Sequence, residues 1–304
     1  MKINPIVILG STASGKTKLA ARLAKDLRAE IISADSRQVY RGMDMGTGKD
    51  LGDYLVEGTA VPYHLIDIVD PGYEFSVFDY QRCFFQCFSE ITAKNVLSVM
   101  VGGTGLYINA VLKSYRMLAV PENYDLRAEL QSQGADLLIK RLTELNPSLH
   151  NTTDILDRQR LIRAIEISEA SKKHGREDEF NFSPLNPFVI GLHWDRSVLR
   201  LRITKRLQER LRAGMIEEVE KLHDNGVSWE KLNSFGLEYR YISLYLEGKL
   251  NRQDMFRQLN TKIHQFAKRQ ETWFRRMERQ GIVIHWLENP DYEKLKKLVE
   301  PVLT

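Results

Sequence analysis

The feature that most constrains the fold lies near the amino terminus, where residues 8–17 read ILGSTASGKT. An apolar run ends at Gly10, a short polar loop follows, and Gly15, Lys16 and Thr17 open a segment with helical periodicity. This arrangement matches the phosphate-binding pattern G-x-x-x-x-G-K-[ST] at every fixed position, between a strand and a helix. The predicted phosphate-binding residues are Gly10, Ser11, Thr12, Ala13, Ser14, Gly15, Lys16 and Thr17.

Each part of this loop has a physical role. Backbone N–H groups close around phosphate oxygens, Lys16 adds a positive charge, and the Thr17 hydroxyl can bind Mg²⁺ at a helix amino terminus. The signature is typical of ATP-binding proteins, so a nucleoside triphosphate is the usual ligand. The rest of the chain argues for a different one.

Five apolar runs alternate with segments of helical spacing. The predicted strands are PIVIL, EIISA, LSVMV, FVIGL and IVIHWL. Strands separated by helices predict an α/β fold of the P-loop type, with a mainly parallel sheet flanked by helices. Ligands of such sheets bind beyond the carboxyl ends of the strands.

The middle of the chain, residues 116–186, has helical but no strand patterns. We therefore predict a small all-helical insertion domain there, within a core formed by residues 1–115 and 187–304. On one of its helices Gln159, Arg160 and Arg163 lie on adjacent turns. These side chains could bind a phosphate backbone or form a solvated face, and spacing alone makes the latter more common.

An acidic residue, Asp35, directly follows the second predicted strand, so we expect it to face the phosphate site. A carboxylate there could bind metal or accept a proton from a nucleophile, and it could also be a helix N-cap or a turn residue. The third strand continues into Gly102, Gly103 and Thr104 without the acid that motor ATPases and GTPases place there. We expect this glycine loop to approach a ligand closely, with Thr104 as a donor.

Positive charge is concentrated in residues 196–279, which contain 19 Lys and Arg against 11 Asp and Glu, a net charge of +8 in a chain of +4. Such a segment suits a polyanionic partner, although a solvated helical face is the alternative. Arg202 and Arg206, four residues apart, could reach the phosphates of the loop ligand.

The segment TKIHQFAKRQETWFRRMERQ combines basic residues with Trp273. Its helical spacing predicts a core face of Ile263, Phe266, Ala267, Phe274 and Met277. Basic side chains beside an aromatic ring suit single-stranded RNA, whereas the alternative is an amphipathic surface helix with its Trp buried.

Composition excludes other classes. No apolar stretch approaches the length of a membrane span or of a signal peptide, so we expect no membrane association. Cys83 and Cys87 lie four residues apart on a predicted helix without a second ligand pair, which favours core packing over a metal site. Two cysteines fit a reducing compartment, so we expect a cytoplasmic protein, and we expect a monomer.

These motifs occur together in one family: the chain resembles the bacterial tRNA dimethylallyltransferases, or isopentenyl-diphosphate:tRNA transferases. The matching stretches run in the family's order and are GSTASGKT, ADSRQVYRGMDMGTGK, YHLIDIVDP, VGGTGLYINAVL, DRQRLIRAIE, RLRITKRLQERL, GMIEEVEKL and AKRQETWFR. The first is widespread, whereas DSRQVYRGMDMGTGK, VGGTGLY and AKRQETWFR together are highly specific.

The resemblance implies that the loop binds dimethylallyl diphosphate rather than ATP, with Mg²⁺ held by Thr17. The family transfers the five-carbon group to N6 of the adenosine immediately 3′ of the anticodon and releases diphosphate. By the same resemblance Asp35 accepts the amine proton and Thr104 lies beside the diphosphate, while Lys16 and Arg202 offset the leaving charge.

The resemblance also implies the residues that contact tRNA. They are Asp35, Ser36, Arg37, Gln38, Thr104, Arg127, Gln159, Arg160, Leu161, Ile162, Arg163, Lys268, Arg269, Gln270, Thr272, Trp273 and Arg275. The sequence departs from the family at FGLEYRY, where Glu238 stands in place of a frequent glycine. This departure leaves open whether Tyr239 and Arg240 contact tRNA.

Three other functions remain as alternatives. A small-molecule kinase shares the loop and an acid after the second strand, but it needs neither the basic helix nor VGGTGLY. A nucleotide-switched RNA-binding protein would carry a guanine-specificity motif such as N-K-x-D, which the sequence lacks. A prenyltransferase of free adenine nucleotides would not need the insertion and the basic carboxyl-terminal region.

Overall fold

The computed structural model describes residues 4–147, 157–174, 182 and 185–303. The strands are β1 (Ile6–Gly10), β2 (Glu30–Ala34), β3 (Leu55–Val56), β4 (Thr59–Ala60), β5 (Tyr63–His64), β6 (Ser98–Gly102), β7 (Phe188–His193) and β8 (His285–Glu288). The helices are α1 (Lys16–Leu27), α2 (Val77–Ala93), α3 (Gly105–Leu112), α4 (Tyr124–Gln131), α5 (Ala135–Leu145), α6 (Arg158–His174), α7 (Arg196–Arg212), α8 (Met215–Asp224), α9 (Trp229–Ser234), α10 (Leu237–Leu246), α11 (Arg252–Arg279) and α12 (Tyr292–Leu303). A short 3₁₀ helix covers Leu51–Tyr54.

Six strands form one parallel sheet in the order β5-β2-β6-β1-β7-β8. Every residue of β1 and β6 is buried, because helices cover both faces of a parallel sheet. This double burial explains why these strands read as continuous apolar runs. The predicted α/β fold with a mainly parallel sheet is confirmed.

One predicted strand starts later than expected, and the short strands β3, β4 and β5 were not predicted. The run IVIHWL begins at residue 282, but its strand, β8, starts only at His285. The edge strand β5 escaped prediction because it is two residues long and only partly buried, which leaves no periodic pattern. Cys83 and Cys87 lie on α2 as expected, and both thiols are free.

The chain forms two compact units, Met1–Ser114 with Pro184–Thr304, and Tyr115–Ser183. The first contains the sheet, together with a helical cluster in which α7 to α11 pack around residues such as Leu207, Met215 and Tyr239. The second contains α4, α5 and α6, and its core contains Leu138, Leu161 and Ile165. No helix in the described part of the chain is long and apolar enough to cross a membrane.

Candidate active site

The strand order brings together three loops that are distant in sequence. Strand β6 lies between β2 and β1, and its last residue, Gly102, pairs with Ala34 of β2 and with Leu9 of β1. The loops that follow these strands therefore leave the same sheet edge side by side. Asp35, the glycine loop (residues 102–105) and the phosphate loop (residues 10–17) consequently share one site.

The phosphate loop has the backbone of an anion cradle. Ala13 and Gly15 both have positive φ, of 61° and 85°, and α1 begins directly afterwards at Lys16. Such a turn into a helix amino terminus directs N–H groups at a common point. The Lys16 ammonium donates to the Ser11 carbonyl at 3.4 Å, which holds it over the loop.

Trp194 and Arg202, which follow β7 in the chain, hold the phosphate loop through its backbone carbonyls. The Trp194 indole donates to the Ser14 carbonyl at 2.9 Å, and Arg202 Nε donates to the Ala13 carbonyl at 2.9 Å. The Arg202 guanidinium also lies 4.5 Å from the centre of the Trp194 ring. Arg202 is thus tied to the phosphate loop, and its role beside the leaving group stays a prediction.

Arg206 lies one helical turn further and shares an acidic partner with Arg210. Asp50 accepts from Arg206 at 2.7 Å and from Arg210 at 2.9 Å. Arg206 also approaches the Thr12 hydroxyl at 3.5 Å. Arg206 was expected here from the sequence, whereas Asp50 and Arg210 were not, because nothing in the pattern around GTGKD predicts contact with a helix 160 residues away.

A cavity of about 510 Å³ opens above the loop. It is lined by Ala13, Gly15, Lys16, Thr17, Lys18, Asp50, Asp53, Arg202, Lys205, Arg206 and Glu209. Burial lowers the pKa of Lys16 to about 8; Asp35 opposes this shift, and Arg206 and Arg210 add to it. The cavity therefore concentrates positive charge that a diphosphate can neutralise.

Thr17, the expected Mg²⁺ ligand, stands in the first turn of α1 and lines this cavity. Among the described residues no group of three or more His, Cys, Asp or Glu side chains could hold a metal ion. Mg²⁺ commonly keeps several waters and binds substrate phosphates, and the Ser or Thr hydroxyl of a phosphate loop is a usual ligand, so the position of Thr17 fits Mg²⁺.

Asp35 and Thr104 are linked through the turn that follows β2. Asp35 directly follows β2, and its carboxylate accepts from the backbone N–H of Arg37 at 2.9 Å. The Thr104 hydroxyl oxygen accepts from the Ser36 N–H at 3.0 Å. Gln38 donates to the Gly48 carbonyl at 3.1 Å, so residues 35–38 form a fixed turn with the Asp35 carboxylate half-buried.

Helix α11 covers the glycine loop. The Trp273 ring would lie 2.2 Å from a Cβ added to Gly105, so the ring needs a glycine there. The atoms nearest to Cβ atoms added to Gly103 and Gly105 belong to α11, and the close approach of this loop to a ligand stays a prediction. The expectation that Phe266 lies in the core is wrong, since its side chain is 39% exposed, whereas Ile263, Ala267, Phe274 and Met277 are buried.

The other residues of α11 with an expected RNA contact divide into two sets. Lys268, Arg269, Thr272 and Arg275 are exposed. Gln270 is buried: its amide accepts from the Thr12 N–H at 2.8 Å and donates to the Gly103 carbonyl at 2.9 Å.

In the helical unit the expected tRNA contacts also differ in exposure. Gln159 and Arg160 are exposed. Arg127 and Arg163 are partly buried and both pair with the buried carboxylate of Glu166. The side chains of Leu161 and Ile162 lie in the core of the unit, at 1% and 2% exposure, so neither side chain is available to a ligand.

A carboxylate that was not predicted from the sequence shapes the loop after Asp35. Glu218 accepts from three consecutive backbone N–H groups, those of Asp44, Met45 and Gly46, at 2.7 to 3.1 Å, and from the Tyr239 hydroxyl at 2.7 Å. Tyr239 is therefore a buried structural residue. Arg240 is exposed and donates to the Asn233 carbonyl at 3.0 Å.

The neighbouring Glu238, where the family often has glycine, lies beside the arginine cluster. It lines a small cavity together with Thr12, Arg206 and Arg210. Burial raises the pKa of its carboxyl group.

Known proteins share this sequence and fold. The family model described as IPP transferase matches residues 38–277. A tRNA dimethylallyltransferase 1 of Syntrophus aciditrophicus is 56% identical over 297 residues, which cover 98% of this chain and 97% of the relative. The crystal structure of the full-length tRNA isopentenylpyrophosphate transferase of Bacillus halodurans is 34% identical, with a TM-score of 0.71 over 99% of this chain and 97% of the other.

A eukaryotic dimethylallyltransferase acting on tRNA has the same fold at 21% identity, with a TM-score of 0.75 over 99% of this chain and 77% of the other. The resemblance found in the motifs is thus confirmed by matches that span nearly the whole chain. The chain belongs to the IPP transferase family and, with its bacterial relatives, to the tRNA dimethylallyltransferases within it.

Proposed function

We propose that this enzyme transfers the dimethylallyl group of dimethylallyl diphosphate to N6 of the adenosine immediately 3′ of the anticodon of tRNA and releases diphosphate. The observation that carries the proposal is the shared sheet edge, where the Asp35 carboxylate and the phosphate loop lie on either side of the glycine loop. A base and a diphosphate site at this spacing suit transfer of an allylic group to an amine.

The donor's diphosphate would bind the backbone N–H groups of the phosphate loop, with Lys16, Arg202 and Arg206 around it. Thr17 would hold Mg²⁺, which supplies positive charge beside the leaving diphosphate when bound. Arg206 is engaged by Asp50 in the structure, so donor binding would give this guanidinium a second anion. Together these groups stabilise the charge that develops as the diphosphate leaves.

In the transfer the allylic carbon–oxygen bond breaks, and its electron pair leaves with the diphosphate. The N6 lone pair forms the new bond to that carbon, and the N6 proton passes to Asp35. The amine is a poor nucleophile because its lone pair is delocalised into the ring, so a base at this position is valuable. Thr104, fixed to the Asp35 turn, would lie beside the diphosphate.

The RNA would bind through the turn at residues 35–38, through the helical insertion unit, and through the exposed side chains of Lys268, Arg269, Thr272 and Arg275 on α11. The target base would leave its stack to bring N6 to the Asp35 carboxylate. Exposed Lys268, Arg269 and Arg275 can pair with phosphates. Residues Arg127 and Gln159 to Arg163 stay proposed contacts, through the backbone only at Leu161 and Ile162.

The direct test is to incubate the protein with radiolabelled dimethylallyl diphosphate, Mg²⁺ and unmodified tRNA and to measure label in the RNA. We expect label at the adenosine next to the anticodon and none when that adenosine is replaced. Label in free AMP at a comparable rate would instead support a nucleotide prenyltransferase. Transfer of γ-phosphate from ATP to a small acceptor would support a kinase.

Substituting Lys268 and Arg269 together by Ala is expected to weaken binding to any tRNA. Each phosphate that is no longer neutralised should reduce the slope of log affinity against log salt by about 0.7 to 0.9. Filter binding across a salt series measures this slope. The matched control is the double Ala variant of Lys296 and Lys297, two exposed lysines of α12. Equal slopes in both variants and the wild type would make Lys268 and Arg269 a solvated face.

We also assign the enzyme to the cytoplasm and expect it to act as a monomer. Two free thiols, Cys83 and Cys87, and a tRNA substrate support the cytoplasm. Sedimentation at micromolar concentration, with and without tRNA, measures the oligomeric state.

A further inference from the structure

Gln270 occupies an unusual place on α11. The buried face of this fully described helix consists of Met255, Leu259, Ile263, Ala267, Gln270, Phe274 and Met277. Gln270 is its single polar member and is 8% exposed. A buried amide costs free energy unless it is hydrogen-bonded, so its partners indicate why it is there.

Both ends of the amide are bonded, and each partner belongs to a different loop of the site. The Oε1 atom accepts from the Thr12 N–H in the phosphate loop at 2.8 Å. The Nε2 atom donates to the Gly103 carbonyl, which directly precedes Thr104, at 2.9 Å. Gln270 thus joins the donor side of the site to the side that carries Thr104.

The fit around this amide is close. A Cβ added to Gly103 would lie 2.5 Å from Gln270 Nε2 and 3.2 Å from the Gly10 carbonyl oxygen. One turn later on the helix, Trp273 packs on Gly105 in the same manner. The amide of Gln270 does not bond to its own helix. It joins the phosphate loop to the glycine loop.

We infer that Gln270 is a positioning residue of the transfer reaction, an inference that rests on the proposed function. It turns the Thr12 N–H away from the donor, so that the diphosphate is bound by the later N–H groups of the loop. It also sets the spacing between these groups and Thr104. The motif AKRQETWFR therefore contains a glutamine at position 270 because its amide bonds to Thr12 and Gly103, and not because it contacts RNA.

Gln270→Met keeps the size and removes both hydrogen bonds. We expect kcat/KM for dimethylallyl diphosphate to fall by about 10- to 100-fold, the equivalent of two lost hydrogen bonds, while tRNA affinity changes by less than about twofold. Gln265→Met, on the exposed side of the same helix, is the matched control and should keep wild-type values. A tenfold loss of tRNA affinity with unchanged kcat/KM for the donor would overturn the inference in favour of RNA contact.

Gln270→Glu gives a readout that a purely structural role would not move. When protonated, the new carboxyl group can accept from Thr12 and donate to Gly103 as the amide does. When ionised it cannot donate, and it adds negative charge near the diphosphate. We therefore expect the ratio of variant to wild-type kcat/KM to rise up to about tenfold for each pH unit lowered, whereas the ratio for Gln270→Met stays constant.

Lys16 is a second titrating group close to Gln270. Its Nζ lies 3.5 Å from a Cβ added to Gly103, the position that Gln270 Nε2 also approaches. Dividing by the wild-type rate largely removes its contribution. A ratio for Gln270→Glu that is independent of pH, in protein with wild-type circular dichroism, would overturn the inference.

Affinity for inorganic diphosphate with Mg²⁺, measured by calorimetry, separates this inference from the proposed function. A weaker affinity in Gln270→Met supports the role of Gln270 in arranging the phosphate loop, even if the wild type transfers no prenyl group. Unchanged diphosphate affinity together with unchanged transfer kinetics would contradict it.

Discussion

Substitution of Asp35 by Asn is expected to slow the chemical step by about 10² to 10⁴, the usual worth of a positioned general base. An amide keeps the shape of the side chain and can still accept from the Arg37 N–H, so the turn should persist. It cannot take the proton from N6. Donor and tRNA binding should therefore stay close to wild type.

The alternative role, binding of Mg²⁺, predicts a different loss. Asn is a weaker metal ligand than Asp, so a metal-binding role would raise the Mg²⁺ requirement and excess Mg²⁺ would restore part of the rate. We expect no such rescue, because Thr17 and the diphosphate oxygens can already hold the metal. Single-turnover rates at saturating tRNA and donor, measured across a Mg²⁺ titration, distinguish the two roles.

The control for this variant is Asp70→Asn, the same chemical change in an exposed ion pair with Arg41. It should keep the wild-type single-turnover rate. If the rate of Asp35→Asn recovered fully at high Mg²⁺, the base would have to be another group.

The phosphate loop could be predicted from sequence because every step in its formation is local. An apolar strand, a glycine and the start of a helix follow one another within 20 residues. The strand can be recognised as a continuous apolar run because both of its faces are buried. The position of Asp35 directly after β2 followed from the same reasoning. The strand order was not predicted, because the placement of β6 between β2 and β1 depends on contacts between residues that are distant in sequence. The sequence therefore did not show that the glycine loop separates Asp35 from the phosphate loop.

Gln270 illustrates a second limit. Its position fits the apolar spacing of Ile263, Ala267 and Phe274, so a polar residue on a core stripe was a signal in the sequence. The motif's specificity for a tRNA-modifying family favoured an RNA contact instead. Phe266 shows the opposite case, since an apolar residue beside the stripe was assigned to the core and is partly exposed.

The charge around the phosphate loop explains why Lys16 should matter for donor binding. Burial lowers the pKa values of Lys16, Arg202 and Arg210, and the neighbouring charge of Arg206 lowers them further. Asp50 pairs with Arg206 and Arg210, and it lines the cavity above the phosphate loop. Positive charges that repel one another favour diphosphate binding, because the ligand relieves this repulsion.

Lys16→Met should accordingly reduce kcat/KM for dimethylallyl diphosphate by about 10² to 10³, the scale of losing one preorganised charge at a leaving group. The pKa of about 8 adds a pH dependence whose sign is fixed. Below pH 8 the free enzyme carries the ammonium that the diphosphate needs, and above pH 8 it does not. Log kcat/KM for the donor should therefore fall with a slope approaching −1 as pH rises past about 8, while tRNA affinity shows no step there.

The variants separate this charge from other titrating groups. In Lys16→Met the profile should be low and without a break near pH 8, because the titrating amine is gone. Lys16→Arg keeps a positive charge at all accessible pH values, so whatever activity it retains should also lack the break. A wild-type profile that stays flat to pH 9.5, or a break that persists in Lys16→Met, would assign the pH dependence to another group and remove the Lys16 ammonium as the main charge on the diphosphate.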